Sequence, residues 1–145
     1  MVYLGSKGFY GLLAVADLAE GWVRREPIQV KEIARRQGIP VDYLGQIMVA
    51  LKKGNIVDGH RGPGGGYILA RSPDRISVGE VLHALEGSQA SKQFFGKRGK
   101  MVQSEVAKNI SRVCKDAVEA SLKVLESTPV STLLAKNGKE PMFYI

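Results

Sequence analysis

One short stretch of the chain is well suited to contact a polyanion. Arg61 stands at the start of the run Gly62-Pro63-Gly64-Gly65-Gly66, between two short apolar runs, Ile56-Val57 and Tyr67-Ile68-Leu69. Glycine and proline at this density exclude a helix interior or a central strand, so the run predicts the tip of a β-hairpin. The bare glycines would let the backbone approach a phosphate closely or enter a narrow groove, and the alternative is a plain turn.

The segment before this tip predicts two helices joined by a short turn. The first is predicted over Val30–Gln37 and ends at Gly38, as glycine commonly does at a helix C-terminus. The second is predicted over Val41–Lys53, after Pro40. Helix, turn, helix and hairpin is the order of a winged helix-turn-helix module, whose second helix enters the major groove while the wing reaches the backbone or minor groove. The second helix is predicted to bury one apolar stripe, formed by Leu44, Ile47, Met48 and Leu51.

Two more helices are predicted around this module. Residues 6 to 22 form an opening helix with Ser6 available as its N-cap. After the hairpin, Ser77 is followed three residues later by Glu80, which predicts a capping box at the start of a short helix. The fold class predicted is therefore mainly α with a small β-wing (α+β).

Several of these residues, taken together, are similar to those of a known family. The pattern resembles the IscR–NsrR–CymR family of bacterial transcriptional regulators, also called the Rrf-two family, closely over residues 1–87 and in outline beyond. The resemblance implies a winged helix-turn-helix and DNA binding. One departure is Gly45, where family members often carry glutamate, so the operator sequence stays open. The matching residues are Ser6-Lys7-Gly8-Phe9-Tyr10, Leu18-Ala19, Ile33-Ala34, Gly38-Ile39, Tyr43-Leu44, Gln46-Ile47, Arg61-Gly62-Pro63-Gly64-Gly65-Gly66-Tyr67, Leu69-Ala70-Arg71 and Ser77-Val78-Gly79-Glu80-Val81-Leu82.

The exposed side of the module supplies the candidate DNA contacts. Tyr43 and Gln46 are predicted to face base edges, where glutamine pairs bidentately with adenine. Arg61 and the glycine tip are predicted to enter the minor groove. The whole predicted set, including phosphate contacts, is Gln29, Lys31, Pro40, Asp42, Tyr43, Gln46, Lys52, Arg61, Gly64, Gly65 and Gly66.

A long helix is predicted from about Met101 to Glu126. Its apolar residues recur at near-heptad spacing, and so small a domain cannot cover a helix of this length. We therefore predict that it pairs with the same helix of a second chain; packing along its own domain is the alternative. The predicted division is a DNA-binding domain (1–87), a basic loop (88–103), and a dimerisation helix with a C-terminal tail (104–145). The predicted seam is Val106, Ile110, Val113, Ala117, Ala120 and Val124.

The cofactor of the resembled family is not expected here. The resemblance implies an iron–sulfur cluster held by three cysteines in the loop before the dimer helix, yet residues 88–103 contain no cysteine. The single cysteine, Cys114, falls within the predicted helix, either as a small apolar residue or as a redox-sensing thiol. One thiolate cannot hold such a cluster, which normally takes four protein ligands. His60 and His83 have no partner at metal spacing, so no metal site is predicted either.

Composition is that of an ordinary globular protein with a basic balance. The 145 residues are 44% apolar and 24% charged, with net charge +7 and pI near 9.6, which favours polyanion partners without identifying one. No apolar run approaches the length of a membrane span, no signal peptide is evident, and one cysteine rules out an internal disulfide. We therefore expect a cytoplasmic protein.

These features predict a homodimeric, sequence-specific DNA-binding transcriptional regulator, with a repressor favoured, acting on a pseudo-palindromic operator in double-stranded DNA. The effector is either a small molecule bound near Phe94 and Phe95 or a regulatory protein, as the cysteine-metabolism branch of the resembled family implies. The alternative class is a protein–protein interaction module that uses the helix-turn-helix only as scaffold. No nucleophile–histidine–acid set and no phosphate-binding loop is present, so no catalytic residues and no enzymatic activity are predicted.

Overall fold

The structure is a computed structural model that describes residues 4–87 and 104–135. Within these residues, the chain forms five α-helices, one two-stranded antiparallel sheet and three short 3-10 helices, which confirms the predicted mainly α fold with a small wing. The 3-10 helices span Trp22–Arg24, Pro73–Arg75 and Val130–Leu134. The helices are α1 (Ser6–Glu20), α2 (Val30–Gln37), α3 (Val41–Lys53), α4 (Val78–Glu86) and α5 (Glu105–Glu126), and the strands are β1 (Val57–His60) and β2 (Gly66–Leu69).

The helix-turn-helix follows the predicted bounds at both ends. Gly38 closes α2 in the left-handed conformation at φ 67°, a backbone geometry that glycine adopts without strain. Ile39 follows, is buried, and donates its N–H to the carbonyl of Ala34 at 3.0 Å, which fixes the angle between the helices. The four predicted stripe residues of α3 are all fully buried.

Helix starts are set by caps, and one of the predicted caps is wrong. The N-cap of α1 is Gly5, with no side-chain hydrogen bond, and Ser6 is the first helical residue. The capping box of α4 is confirmed, since the Glu80 N–H donates to the Ser77 hydroxyl at 3.0 Å and the Ser77 N–H donates to the Glu80 carboxylate at 2.8 Å. This backbone hydrogen bond, with Arg71 alongside, holds the pKa of Glu80 below its ordinary value. The stabilisation it gives is therefore lost as the pH falls through that lowered pKa.

The long helix α5 begins later than predicted and is left uncovered. Its N-cap is Ser104, whose hydroxyl accepts from the Ala107 N–H at 3.1 Å, so the described helix starts at Glu105 rather than near Met101. None of its residues is buried in the part of the chain that the structure describes. All six residues of the predicted seam are exposed: Val106, Ile110, Val113, Ala117, Ala120 and Val124.

After α5 the chain returns to the core of the first module. The N–H of Val78 donates to the carbonyl of Thr128 at 2.8 Å, and the N–H of Val130 donates to the carbonyl of Ile76 at 2.8 Å. Val130 is fully buried among the side chains of the helix-turn-helix core. The end of α5 lies against the start of α4, where a Cβ on Gly79 would come within 3.1 Å of the Glu126 backbone. The last segment of the described chain therefore anchors α5 to the DNA-binding module.

The core itself is built mainly from α1, α2, α3 and α4. Helix α1 packs against the other three, and no helix among the described residues is long and apolar enough to cross a membrane. Asp17 of α1 is the one buried charged residue of the described core. The largest fully buried side chains are Val15, Ile33, Leu44, Ile47, Met48, Leu51, Ile56, Val57, Ile76, Val81 and Val130.

Candidate nucleic-acid interface

The wing is a tight hairpin, and two glycines in its loop adopt positive φ angles. Strand β1 pairs with β2 from Val57 opposite Leu69 to His60 opposite Gly66, which leaves residues 61–65 as the loop. Gly62 and Gly64 have φ of 89° and 74°, and the N–H of Gly65 donates to the carbonyl of Gly62 at 2.9 Å. Arg61 follows the last residue of β1 and is exposed. The prediction of a hairpin with Arg61 at its base is confirmed.

The three glycines of the tip have different surroundings. A Cβ on Gly64 would meet nothing within 4 Å, so this glycine faces open space. Gly65 is buried in the turn, where a Cβ would lie 2.7 Å from the carbonyl oxygen of Gly62 and overlap that of His60. A Cβ on Gly66 would overlap the backbone of Ile28 and lie 2.8 Å from the Gln29 nitrogen. Gly65 and Gly66 are thus required by the wing itself, and Gly64 alone of the three is open to a groove.

Ile28 ties the wing to the helix-turn-helix, a contact that the sequence analysis missed. Its N–H donates to the carbonyl of Tyr67 at 2.9 Å, and the N–H of Tyr67 donates back to the carbonyl of Ile28 at 2.8 Å. Ile28, two residues before the start of α2, is therefore paired with β2. An apolar residue between Pro27 and Gln29 was the only local signal, and it is too short to predict a strand.

Helix α3 presents an exposed face opposite its buried stripe. Gln46 lies on that face and makes no hydrogen bond among the described residues, so its amide is available to a base edge. Asp42 is exposed one turn earlier. Tyr43, which the sequence placed beside Gln46, is half-buried instead, with its ring edge-on to Tyr10 at a centroid distance of 5.8 Å.

The cations of the module fall into two groups. Arg35 and Arg36 of α2 are engaged by acids: Arg35 pairs with Glu32, and Arg36 pairs with Asp17. The hydrogen bond from Arg35 holds the pKa of Glu32 below its ordinary value. In contrast, no ion pair engages Lys31, Lys52 or Arg61 within residues 4–87 and 104–135, and all three are exposed. These three charges are therefore available to phosphates.

Lys52 connects the two exposed parts of the site. A Cβ placed on Gly59 of β1 would lie 3.4 Å from the Lys52 ammonium nitrogen and 3.5 Å from the ring of Tyr67. The lysine therefore extends from the last turn of α3 onto the surface of the wing. Lys52 thereby links the C-terminal end of α3 to the wing strand that leads to Arg61.

Asp17 of α1 holds the end of α2 in place, a role that the sequence analysis did not predict. Its carboxylate accepts from the Nε of Arg36 at 3.1 Å and from the side-chain amide of Gln37 at 2.8 Å. Nineteen or twenty residues separate these partners from Asp17, so no local pattern could reveal the contact. By joining α1 to the end of α2, Asp17 fixes the turn that presents α3.

The remaining predicted site residues that the structure describes are exposed or partly exposed. Gln29, Lys31 and Pro40 are exposed near the starts of α2 and α3. Phe94 and Phe95 lie outside the described residues. Cys114 is partly exposed on α5, and His60 and His83 are exposed. Among residues 4–87 and 104–135 no group of three or more histidines, cysteines or carboxylates could hold a metal ion.

Comparisons with known proteins point to one family. The family model Rrf2, described as an iron-dependent transcriptional regulator, matches residues 4–136. The HTH-type transcriptional regulator IscR of Sodalis glossinidius (strain morsitans) is 42% identical over 98 residues, which cover 66% of this chain and 58% of that protein. The match thus spans less than two thirds of the length of this curated relative.

Two solved structures extend the likeness to nearly the whole chain. T. potens IscR is 34% identical, with a TM-score of 0.70 over 91% of this chain and 85% of that one. CymR, the global cysteine regulator of B. subtilis, is 31% identical, with a TM-score of 0.70 over 92% of this chain and 96% of that one. Both share the arrangement of the helices and wing.

Proposed function

The chain belongs to the Rrf2 family of transcriptional regulators, and from this premise we propose that it is a sequence-specific DNA-binding regulator acting as a homodimeric repressor. One observation carries the proposal. The exposed face of α3 carries Gln46 and Lys52, and Lys52 extends to the wing strand that leads to the exposed Arg61. Within residues 4–87 and 104–135, no hydrogen bond engages the Gln46 amide and no ion pair engages Lys52 or Arg61. A module used only as scaffold would have no need for unpaired cations around that face.

In the proposed complex, α3 lies in the major groove and the wing follows the adjacent backbone. Gln46 pairs with an adenine through its amide, and Asp42 accepts from a cytosine amino group. Lys31, Gln29 and Lys52 contact phosphates, which orient the module without reading sequence. Arg61 reaches the minor groove, where its affinity depends on groove width more than on base identity.

The proposed function is tested by selecting bound duplexes from random DNA with the purified protein. We expect enrichment of a pseudo-palindrome with half-sites about one helical turn apart or slightly more. A dimer that neutralises about eight phosphates should show a log–log salt slope near −7. Failure to enrich any duplex, together with binding that does not depend on salt, would contradict DNA binding.

On the selected duplex, Gln46→Ala and Arg61→Ala should fail in different ways. Gln46→Ala should lose roughly 1–3 kcal/mol and relax the preference at one base pair in each half-site. Arg61→Ala should weaken binding to most sequences and make the salt slope shallower, because it removes a phosphate or groove charge. Fluorescence anisotropy over a salt series and single-base variants separates the two. Unchanged base preferences in Gln46→Ala would remove that residue from the reading set.

The residues of this chain do not fit the iron–sulfur chemistry that the family description suggests. The full sequence holds a single cysteine, Cys114, and a cluster normally requires four protein ligands. We therefore propose that regulation here does not run through a cluster. Protein purified without oxygen should show no visible charge-transfer absorption and no stoichiometric iron or sulfide. Either signal would contradict the proposal and would require ligands from a second chain.

The assembly and its control are part of the same proposal. A cytoplasmic homodimer formed through the uncovered seam of α5 would set two α3 helices on one face of the duplex. Control would come from a small molecule near Phe94 and Phe95 or from a regulatory protein. No observation favours an enzymatic activity, since the relatives are named as transcriptional regulators.

A further inference from the structure

We propose that the exposed side of α3 reads thymine methyl groups in the major groove through an apolar strip made of Val41, Gly45 and Val49. The inference rests on the proposed function, because it names what part of the DNA this face recognises. It adds residues that lie outside the predicted DNA-binding set.

The strip lies where a recognition helix meets the bases. Val41 is 45% exposed and Val49 is 50% exposed, although α3 buries a full stripe on its other side. Four residues advance a helix about 40° beyond one full turn, so the three positions fall within about 80° of one another. Gly45 stands between the two valines, and a Cβ there would meet nothing within 4 Å.

The apolar character of the strip indicates which group on the DNA it contacts. Neither valine belongs to the described core, and valine and glycine are both weaker helix formers than alanine. The exposed residues beside the strip are Asp42, Gln46 and Lys52, so the strip lies within the proposed DNA surface. In the major groove, the C5-methyl group of thymine is the apolar group that the base edges present, and it marks the position of thymine. A valine in that groove therefore selects thymine.

The spacing sets what the strip reads. Val41 and Val49 are eight residues apart, which is about 12 Å along the helix axis. Base pairs are about 3.4 Å apart, so the two valines meet methyl groups no more than about three to four base pairs apart. Gly45 has no side chain between them, which allows the helix to approach the base edges closely enough for both contacts.

The test removes the methyl group from the DNA. In the duplex selected by the protein, each thymine of both half-sites is replaced in turn by deoxyuridine, and affinity is measured by anisotropy. Burial of a single methyl group corresponds to about a fourfold change in affinity. Replacing a symmetric pair of thymines, one in each half-site, removes two methyl groups and should weaken binding about fifteenfold. Val49→Ala should show a smaller loss than the unmodified protein when the thymine at that position is replaced by uracil. Val23→Ala, which alters a 91% exposed valine outside α3, should retain the full loss.

Gly45→Ala provides a second measurement in which stability and binding change in opposite directions. Alanine at an open position in a helix interior should raise the melting temperature by about 2–4 °C. The added methyl should nevertheless weaken DNA binding severalfold, because it holds the helix away from the bases. Affinity that is unchanged or improved would contradict close approach at Gly45.

The outcomes distinguish the inference from the function on which it rests. If the protein selects a duplex but no uracil replacement weakens binding, the inference is overturned and DNA recognition stands. The same holds if Val41→Ala and Val49→Ala both keep the wild-type uracil losses. If no duplex is enriched from random DNA, the proposed function fails and the inference fails with it.

Discussion

The double variant Ile110→Lys, Val113→Lys should be a monomer, whereas we expect the unmodified protein to be a dimer. Ile110 is 53% exposed and Val113 is 68% exposed on a helix of 22 residues, about 33 Å long, that its own described chain does not bury. In the proposed dimer, lysines at these positions would place four like charges in an apolar seam. Their desolvation would cost several kcal/mol with no partner charge to offset it. Light scattering should report the mass of one 15.8 kDa chain instead of two.

A matched control lies on the same helix. Glu119→Lys adds the same two units of positive charge at an exposed position on the opposite side of α5 from the seam. It should remain a dimer, and its free energy of unfolding should change by no more than about 0.5 kcal/mol. If both variants run as dimers, the seam is not the interface. If both run as monomers, net charge rather than the seam controls assembly.

Monomerisation should also carry a large cost in DNA binding. A monomer contacts one half-site and neutralises about half the phosphates, so its log–log salt slope should fall from near −7 to about −3.5. Affinity for the full operator should drop by orders of magnitude, because the second half-site no longer binds as part of the same molecule. Full affinity in a verified monomer would contradict the two-fold arrangement.

Gly66→Ala should destabilise the protein by about 3–5 kcal/mol. Gly66 has φ 143°, a region that costs other residues roughly 1–3 kcal/mol, and its added Cβ would overlap the Ile28 backbone. The two hydrogen bonds between Ile28 and Tyr67 would be lost, at about 1 kcal/mol each. Chemical denaturation gives the free energy of unfolding directly, and the wing should lose its protection from hydrogen exchange first.

Gly64→Ala is the control for backbone strain alone. Gly64 also has positive φ, at 74°, but a Cβ there meets nothing within 4 Å. Its substitution should cost only about 1–2 kcal/mol, the penalty for a left-handed residue with a side chain. Equal losses for the two variants would show that Gly66 matters through its φ and that the contact with Ile28 adds nothing.

Much of this protein follows from local rules that operate within a few residues. Glycine at 38 ends α2, the pair Ser77 and Glu80 begins α4, and the periodic stripe of α3 is buried as predicted. The glycine run had to form a turn because no other structure accommodates it. Local determinants of this kind are decided by backbone sterics and by hydrogen bonds between near neighbours, so a sequence displays them directly.

The candidate site was only partly visible in the same way. The exposed positions of Gln46, Lys52 and Arg61 follow from the helical period and the hairpin. Tyr43 does not, because its half-burial depends on Tyr10 in another helix. The DNA contacts themselves and the pairing of α5 remain predictions, since both require a second molecule.

The sequence by itself therefore determined the helices, the wing and the face of α3, whereas the tertiary structure decided how they are held together. Ile28 pairs with Tyr67, Asp17 binds Arg36, and Val130 enters a core assembled from residues more than forty positions earlier. The tertiary structure also showed that Gly65 and Gly66 serve the wing's own packing and that Gly64 is open. Apart from those of Gly65, which lie within the turn, each of these contacts joins residues distant in sequence. They form only when the apolar faces of the helices have packed, and no local pattern encodes which distant backbone or side chain will then lie within reach.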